Sequence, residues 1–350
     1  MTRLMLKLEE WPAIDQAAWA SAVTEGDILD GYGPAAHWRP RTRKTNIRHY
    51  GHWLAWLERE GRLDHTASPH SRVTPEQVKA YHQDLATRVS QVTTCSTLVG
   101  LKEMIRMMAP QAEWRWLKDV CNALTRTAQP SRNKAARIML TDEIIAAVAQ
   151  EFERLGPLPL TRRRDRTAVR DALILGLMAY RPLRQANFSA LALGQTLRPS
   201  TAGWMIDIPG EETKTGAPIT FSLPDEVEPW LTLYLDRVRP IFAERADTRS
   251  NALWLGYRGA PLTAHGLYYR VLDVTRRLLG RELNPHLLRD CAATSIAINA
   301  SDQVHLAAVA LSHSNFRTTE RHYIRAGGLN ASRQITAALS AVRNRTDQED

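Results

Sequence analysis

One stretch of this chain alternates, while the segments around it repeat at helical spacing. In "GWMIDIPGEETKTGAPITFSL", residues 203–223, Trp204, Ile206 and Ile208 lie two apart, as do Ile219 and Phe221 beyond a turn bearing Gly and Pro. Period-two patterning on both sides of such a turn predicts short antiparallel strands. The period is 3.6 in the segments that flank it, among them "RTAVRDALILGLMAY", "EVEPWLTLYLDRVRP", "AHGLYYRVLDVTRRLLG", "PHLLRDCAATSIAINA", "DQVHLAAVALSH" and "TTERHYIRA". A chain so patterned is mainly α with a small antiparallel β-sheet, and the sheet belongs to its second half.

The first half reads as helices alone. "PAAHWRPRTRKTNIRHYGHWLAWLEREGRL" opens with Arg39, Arg41, Arg43, Lys44 and Arg48, then sets Tyr50, Trp53, Leu54 and Leu57 at helical spacing. "VTPEQVKAYHQDLA" carries Thr74 as N-cap, Pro75 at the first helical position and Glu76 in the first turn. Helices follow at "TTCSTLVGLKEMIRMMA" and "EWRWLKDVCNALTRTA" before the aperiodic, Pro-Ser-basic "QPSRNKAAR", which reads as a linker. The boundary falls near Ser131. The expected organisation is an N-terminal segment over 1–37, a helical domain over 38–130, and a second domain over 131–350. That second domain ends in a helix striped by Ile335, Leu339 and Val342. Within it, Pro182 halts one helix and is expected to open the first turn of the next, "PLRQANFSALAL".

With 350 residues, 44% of them hydrophobic, the chain has material for two cores. Lys and Arg number 46 against 37 Asp and Glu, a formal net charge of +9, which points to a polyanionic partner. Cys95, Cys121 and Cys291 are far apart and form no CxxC pair, so neither a disulfide framework nor a zinc knuckle is expected. The opening "MTRLMLKLEEWP" meets acidic residues before it builds a signal-peptide core, and the apolar run "ALILGLMAY" is half a membrane span. The reading is a reducing, cytoplasmic location without a membrane.

Chemistry concentrates late in the chain. In "NPHLLRD", Pro285 opens a helix that sets His286 and Arg289 three apart on one face, where both can address one anion. Downstream, "LSHSNFRTTERHY" packs His313, two threonines and Tyr323 behind the apolar run "VHLAAVA". The order His-x-x-Arg, then Leu-x-His, then Thr-Thr leading to Tyr resembles the tyrosine recombinases, also called phage integrases. That resemblance implies two further groups upstream. "RQANFSAL" supplies Arg184 with Asn187 and Leu191 at the family spacing, and "TKTGAPITF" puts Lys214 in the strand turn. The match spans about 140 residues, from Arg184 to Tyr323, and more loosely takes in the first domain, which looks like the family's DNA-binding core-binding domain. The chain departs from the pattern in three places. Asp290 follows Arg289, Ser312 stands in place of a glycine, and Tyr323 lies one residue further from His313 than in most relatives, with His322 at the commoner position. Arg181 is a competing guanidinium, but it lacks the downstream Asn and Leu spacing.

The resemblance implies a catalytic set of Arg184, Lys214, His286, Arg289, His313 and Tyr323. Arginine pairs hold phosphate oxygens by forked bonds without a metal, and Tyr323 would form a 3'-phosphotyrosyl link to the cut strand. Lys214 would protonate the leaving 5'-oxygen from a mobile turn, while His286 and His313 orient the phosphate and assist proton movement. No cofactor is implied. The implied activity is site-specific recombination for integration or excision of a mobile element. It would act on double-stranded DNA, with a homotetramer on paired sites and a monomer when free. Arg39, Arg41, Arg43 and Lys44, with Arg162, Arg163 and Arg164 of "TRRRDR", are the candidate DNA-binding groups. The alternative function is a DNA-binding architectural or regulatory relative that does not cut. "SRNK" and "KTG" match two penicillin-binding motifs, but Ser131 sits in a polar linker and no Ser-Asp-Asn intervenes. A metal site on His286, His313 and His322 lacks any His-Glu-x-x-His pattern. Trp53, Trp56, Trp114, Trp116 and His305 read as packing residues.

Overall fold

In the computed structural model, the described residues are 3–299 apart from 28, 30, 130–134 and 202. His305, His313, His322, Tyr323 and the striped C-terminal segment lie outside them. The chain divides into two compact units between residues 133 and 134.

The first unit comprises α1 (Ala13–Ala22), α2 (Pro40–Arg59), α3 (Pro75–Arg88), α4 (Gln91–Met108) and α5 (Arg115–Thr127). The Thr74 hydroxyl accepts from the Gln77 amide at 3.3 Å, so α3 starts where its cap dictates. Tyr50, Trp53, Leu54 and Leu57, spaced as a helical stripe, are fully buried together with Leu98, Leu101 and Met104 of α4. Trp56 and Trp114 are buried too, and Trp116 packs against the same core. The sequence reading set residues 1–37 apart, yet Leu6, Trp11, Trp19, Ala22 and Ala35 belong to this one core. A backbone bond from Leu6 to the Gly51 carbonyl, 3.0 Å, fixes the early segment on α2.

Beneath these helices lies a buried polar triad. The Tyr50 hydroxyl donates to Asp15 at 2.5 Å, and the Arg72 guanidinium pairs with the other carboxylate oxygen while also donating to the Ala67 carbonyl at 2.9 Å. Burial and the Asp15 charge push the Tyr50 phenol well above its ordinary value, so it stays a donor. Asp15→Ala strands a buried guanidinium and should destabilise the fold by about 3–5 kcal/mol. Urea unfolding followed by tryptophan fluorescence measures this, and a loss below about 1 kcal/mol would mean the triad does not hold the unit together.

The second unit carries α6 (Thr141–Leu155), α7 (Arg163–Tyr180) and α8 (Gln185–Ser189), then β1 (Leu197–Ser200), β2 (Gly203–Ile208) and β3 (Ile219–Ser222). It continues with α9 (Glu228–Arg237), α10 (Arg239–Ala243), α11 (Ala264–Leu279) and α12 (Pro285–Asn299). The mainly α reading with one small antiparallel sheet holds. The strands run in the order β1-β2-β3, with Ile206 opposite Phe221 and Ile208 opposite Ile219. The sheet has one strand more than the alternation indicated, because β1 contains Pro199 and buries only Leu197 of its four residues. An edge position tolerates that proline. α7 is the buried axis, and residues 171–179 have no exposed member. It ends at Tyr180, and Pro182 stands in the break rather than inside the next helix. Arg184 holds the N-cap position of α8 with extended backbone (φ −60°, ψ 140°).

Candidate active site

The break between α7 and α8 sets the site. Phe188 anchors α8 by stacking on Trp254 at 5.2 Å, and the Trp254 indole donates to the Phe188 carbonyl at 2.8 Å. Leu191 is fully buried just beyond. Half-buried Arg184 is therefore held at the start of a short helix whose far end is fixed in the core.

α12 brings the second guanidinium. The Asn284 side chain caps this helix by accepting from the Leu287 amide at 2.9 Å. Leu287, Leu288 and Cys291 are buried, and the Thr141 amide donates to the Ser295 hydroxyl at 2.8 Å, which ties α12 to the start of α6. So oriented, Arg289 points inward and donates to the Pro182 carbonyl, in the break that Arg184 borders. Burial, reinforced by the like charge of Arg184, pushes the Arg289 guanidinium down to about 10. That value still leaves it charged near neutrality. The two cations repel, and the Asp290 carboxylate opposes part of that cost at Arg289.

Arg181 is turned elsewhere. Its guanidinium lies over the Phe221 ring at 5.2 Å and donates to the Ser222 carbonyl at 3.4 Å, on β3. The structure thus separates two arginines that stand three apart in sequence. His286 is exposed on the first turn of α12, one turn before Arg289. Lys214 is exposed in the loop between β2 and β3. That loop and α8 flank one hollow of about 320 Å³, lined by Ala186, Asn187, Ala190, Thr196, Ile208 and Glu212. Arg184 thus stands at the N-cap of α8, Arg289 reaches the break before it, and the β2–β3 loop borders the helix through Glu212. Among the described residues no group of His, Cys, Asp or Glu could hold a metal ion.

The basic clusters divide. Arg39, Arg41 and Lys44 are exposed at the start of α2, whereas Arg43 donates to the Ala36 carbonyl at 2.7 Å and the Trp38 carbonyl at 3.0 Å. Half-buried Arg43 thus clasps the preceding turn while standing among its exposed basic neighbours. Arg162, Arg163 and Arg164 are exposed, but the 18-residue α7, roughly 27 Å long at 1.5 Å per residue, separates them from Arg184. Arg163 and Arg245 both stack on the Tyr257 ring, each at 4.2 Å. Adjacency in sequence to the Arg184 motif is not adjacency in space.

No family model matches the chain. The tyrosine recombinase XerC of Pseudomonas fluorescens is 28% identical over 159 residues, 45% of this chain and 48% of that protein. The same protein of strain Pf0-1 is also 28% identical over 159 residues. The chain spans about half the length of the curated relatives it matches. Among solved structures, the XerH site-specific recombinase bound to palindromic difH substrate, a post-cleavage complex, is similar with a TM-score of 0.53 and 16% identity, over 83% of this chain and 78% of that one. The Tn1549 transposon integrase in complex with transposon right end DNA gives a TM-score of 0.53 and 15% identity, over 93% and 98%. At such identities the structural likeness is one of fold.

Proposed function

We infer that this chain, a relative of the tyrosine recombinases, is a site-specific DNA recombinase that cuts and rejoins strands through a 3'-phosphotyrosyl link to Tyr323. One observation carries the reading. Arg184 and Arg289, 105 positions apart in sequence, converge on one break between helices, where a phosphodiester would relieve their mutual repulsion. Phosphoryl transfer places added charge on the nonbridging oxygens, and fixed guanidinium groups stabilise that charge without reorganising. In this reading Lys214 gives a proton to the leaving 5'-oxygen, and His286 and His313 hold the phosphate. The link retains the energy of the broken bond, so a 5'-hydroxyl of another strand reseals the backbone without a nucleotide cofactor. The service performed is integration or excision of a mobile element, by four copies on paired sites. Cytoplasmic residence follows from that role.

Trapping tests the reading. A nicked DNA that loses the short strand carrying the 5'-hydroxyl cannot be resealed, so a recombinase accumulates on it as a covalent adduct. Binding without adduct on the cognate sites would favour the non-cutting, architectural alternative.

Arg39, Arg41 and Lys44 act on binding in this scheme, and Arg162, Arg163 and Arg164 are candidates for flanking duplex only. Neutralising the first three should weaken affinity across sequences and flatten the salt slope by roughly one unit per lost phosphate contact. Cleavage at saturating DNA should not change. Titrations at several salt concentrations measure the slope, and slowed cleavage at saturation would move these residues into the cutting centre.

A further inference from the structure

The loop between β2 and β3 is tied to itself. Thr213 sits immediately before exposed Lys214 yet is 1% exposed. Its hydroxyl lies 3.0 Å from the Gly210 carbonyl and 2.9 Å from the Ala217 carbonyl, on opposite sides of the loop. Its amide also donates to the Gly210 carbonyl at 3.0 Å. The sides approach so closely that a Cβ on Gly210 would lie 2.4 Å from the Gly216 carbonyl oxygen, and Gly216 itself takes a left-handed φ of +77°. Thr213 is the one buried residue of this loop, while Glu211, Glu212 and residues 214–218 around it are exposed. A hydroxyl donates one proton, and given to the Ala217 carbonyl it ties the turn that ends at Thr213 to the returning side of the loop, since the Gly210 carbonyl belongs to the turn that the Thr213 amide already closes.

We propose that Thr213 is the positioning residue of Lys214: its hydroxyl locks residues 210–217 into one rigid piece and so sets where the ammonium group stands. This rests on the proposed role of Lys214 as the proton donor. In cleavage the Tyr323 phenol gives its proton to His286 or His313 and its oxygen bonds to phosphorus as the bond from phosphorus to the 5'-oxygen breaks, and the proton of Lys214 passes to that leaving oxygen. When sulfur replaces the bridging oxygen, the thiolate leaves unprotonated and a displaced lysine costs nothing.

The experiment times cleavage of a nicked DNA at saturating protein, with bridging oxygen or bridging sulfur. Thr213→Val should be slower on the order of 10- to 100-fold on oxygen, the loss typical of a misplaced catalytic group. It should match the unaltered protein on sulfur, as Lys214→Ala should. Thr213→Ser should keep the full rate on both, and Thr213→Ala, which removes the hydroxyl with less bulk, should repeat the valine pattern. Full-rate cleavage of the oxygen substrate by Thr213→Val overturns the proposal, as does slow cleavage on both substrates while Lys214→Ala recovers on sulfur. Lys214→Ala slow on both removes its role as donor, and this proposal falls with it.

Discussion

Tyr323→Phe abolishes covalent attachment to DNA while leaving affinity for the site within a few-fold. The phenol oxygen is the group that bonds to phosphorus in the proposed reaction, and phenylalanine keeps the ring while removing that oxygen alone. An ordinary phenol ionises near pH 10, so it is a weak nucleophile at neutrality unless nearby cations lower the cost of the phenolate. The converging charges of Arg184 and Arg289 are of the sign that does so. Ground-state contacts to the phosphate need no tyrosine oxygen, which is why binding survives. Adduct formation on a nicked DNA measures the outcome, with denaturing electrophoresis before and after protease. A protease-sensitive adduct that persists in the Phe variant would show that another side chain attacks, and His322, the adjacent group at the commoner family spacing, would be examined next.

Local signals were legible and long-range ones were not. The Thr74 cap and Pro75 fixed the start of α3 because the participants lie within one turn. The alternation of Trp204, Ile206 and Ile208 gave β2 because two of them face the core. Pro182 was misplaced into a helix since a proline before the cap and one in the first turn leave the same trace in a sequence. The motif spacing pointed to Arg184 over Arg181, but the physical separation arises from Phe221, forty positions downstream, which holds Arg181 away. Thr213 carried no signal at all. It is a polar residue in a polar turn, and its burial exists only once the loop has closed on itself. The Asp15–Tyr50–Arg72 triad joins residues 35 and 57 positions apart, beyond any periodic pattern.

Replacing either Arg184 or Arg289 by alanine slows cleavage at saturating DNA by about 10²- to 10³-fold, the usual cost of one lost donor to a developing oxyanion, about 3–4 kcal/mol of barrier. Lysine should restore charge but little rate, because a point charge cannot fork to two oxygens, and at position 289 it must also reach the Pro182 carbonyl from a buried origin. The two losses should not add. In the free protein the Arg184 charge raises the cost of charging buried Arg289, so removing one relieves a repulsion as well as deleting a contact. The second removal then takes away a cation whose neighbour is already gone, and the double variant should be faster than the product of the single effects predicts. Second-order cleavage rates at subsaturating DNA, which are referred to the free protein, measure the coupling across the four members of the cycle, with thermal melting to confirm folding. Multiplicative losses would mean that the two arginines act on separate oxygens without influencing one another. Losses of affinity alone would place both among the ground-state contacts and move the cutting centre to other groups.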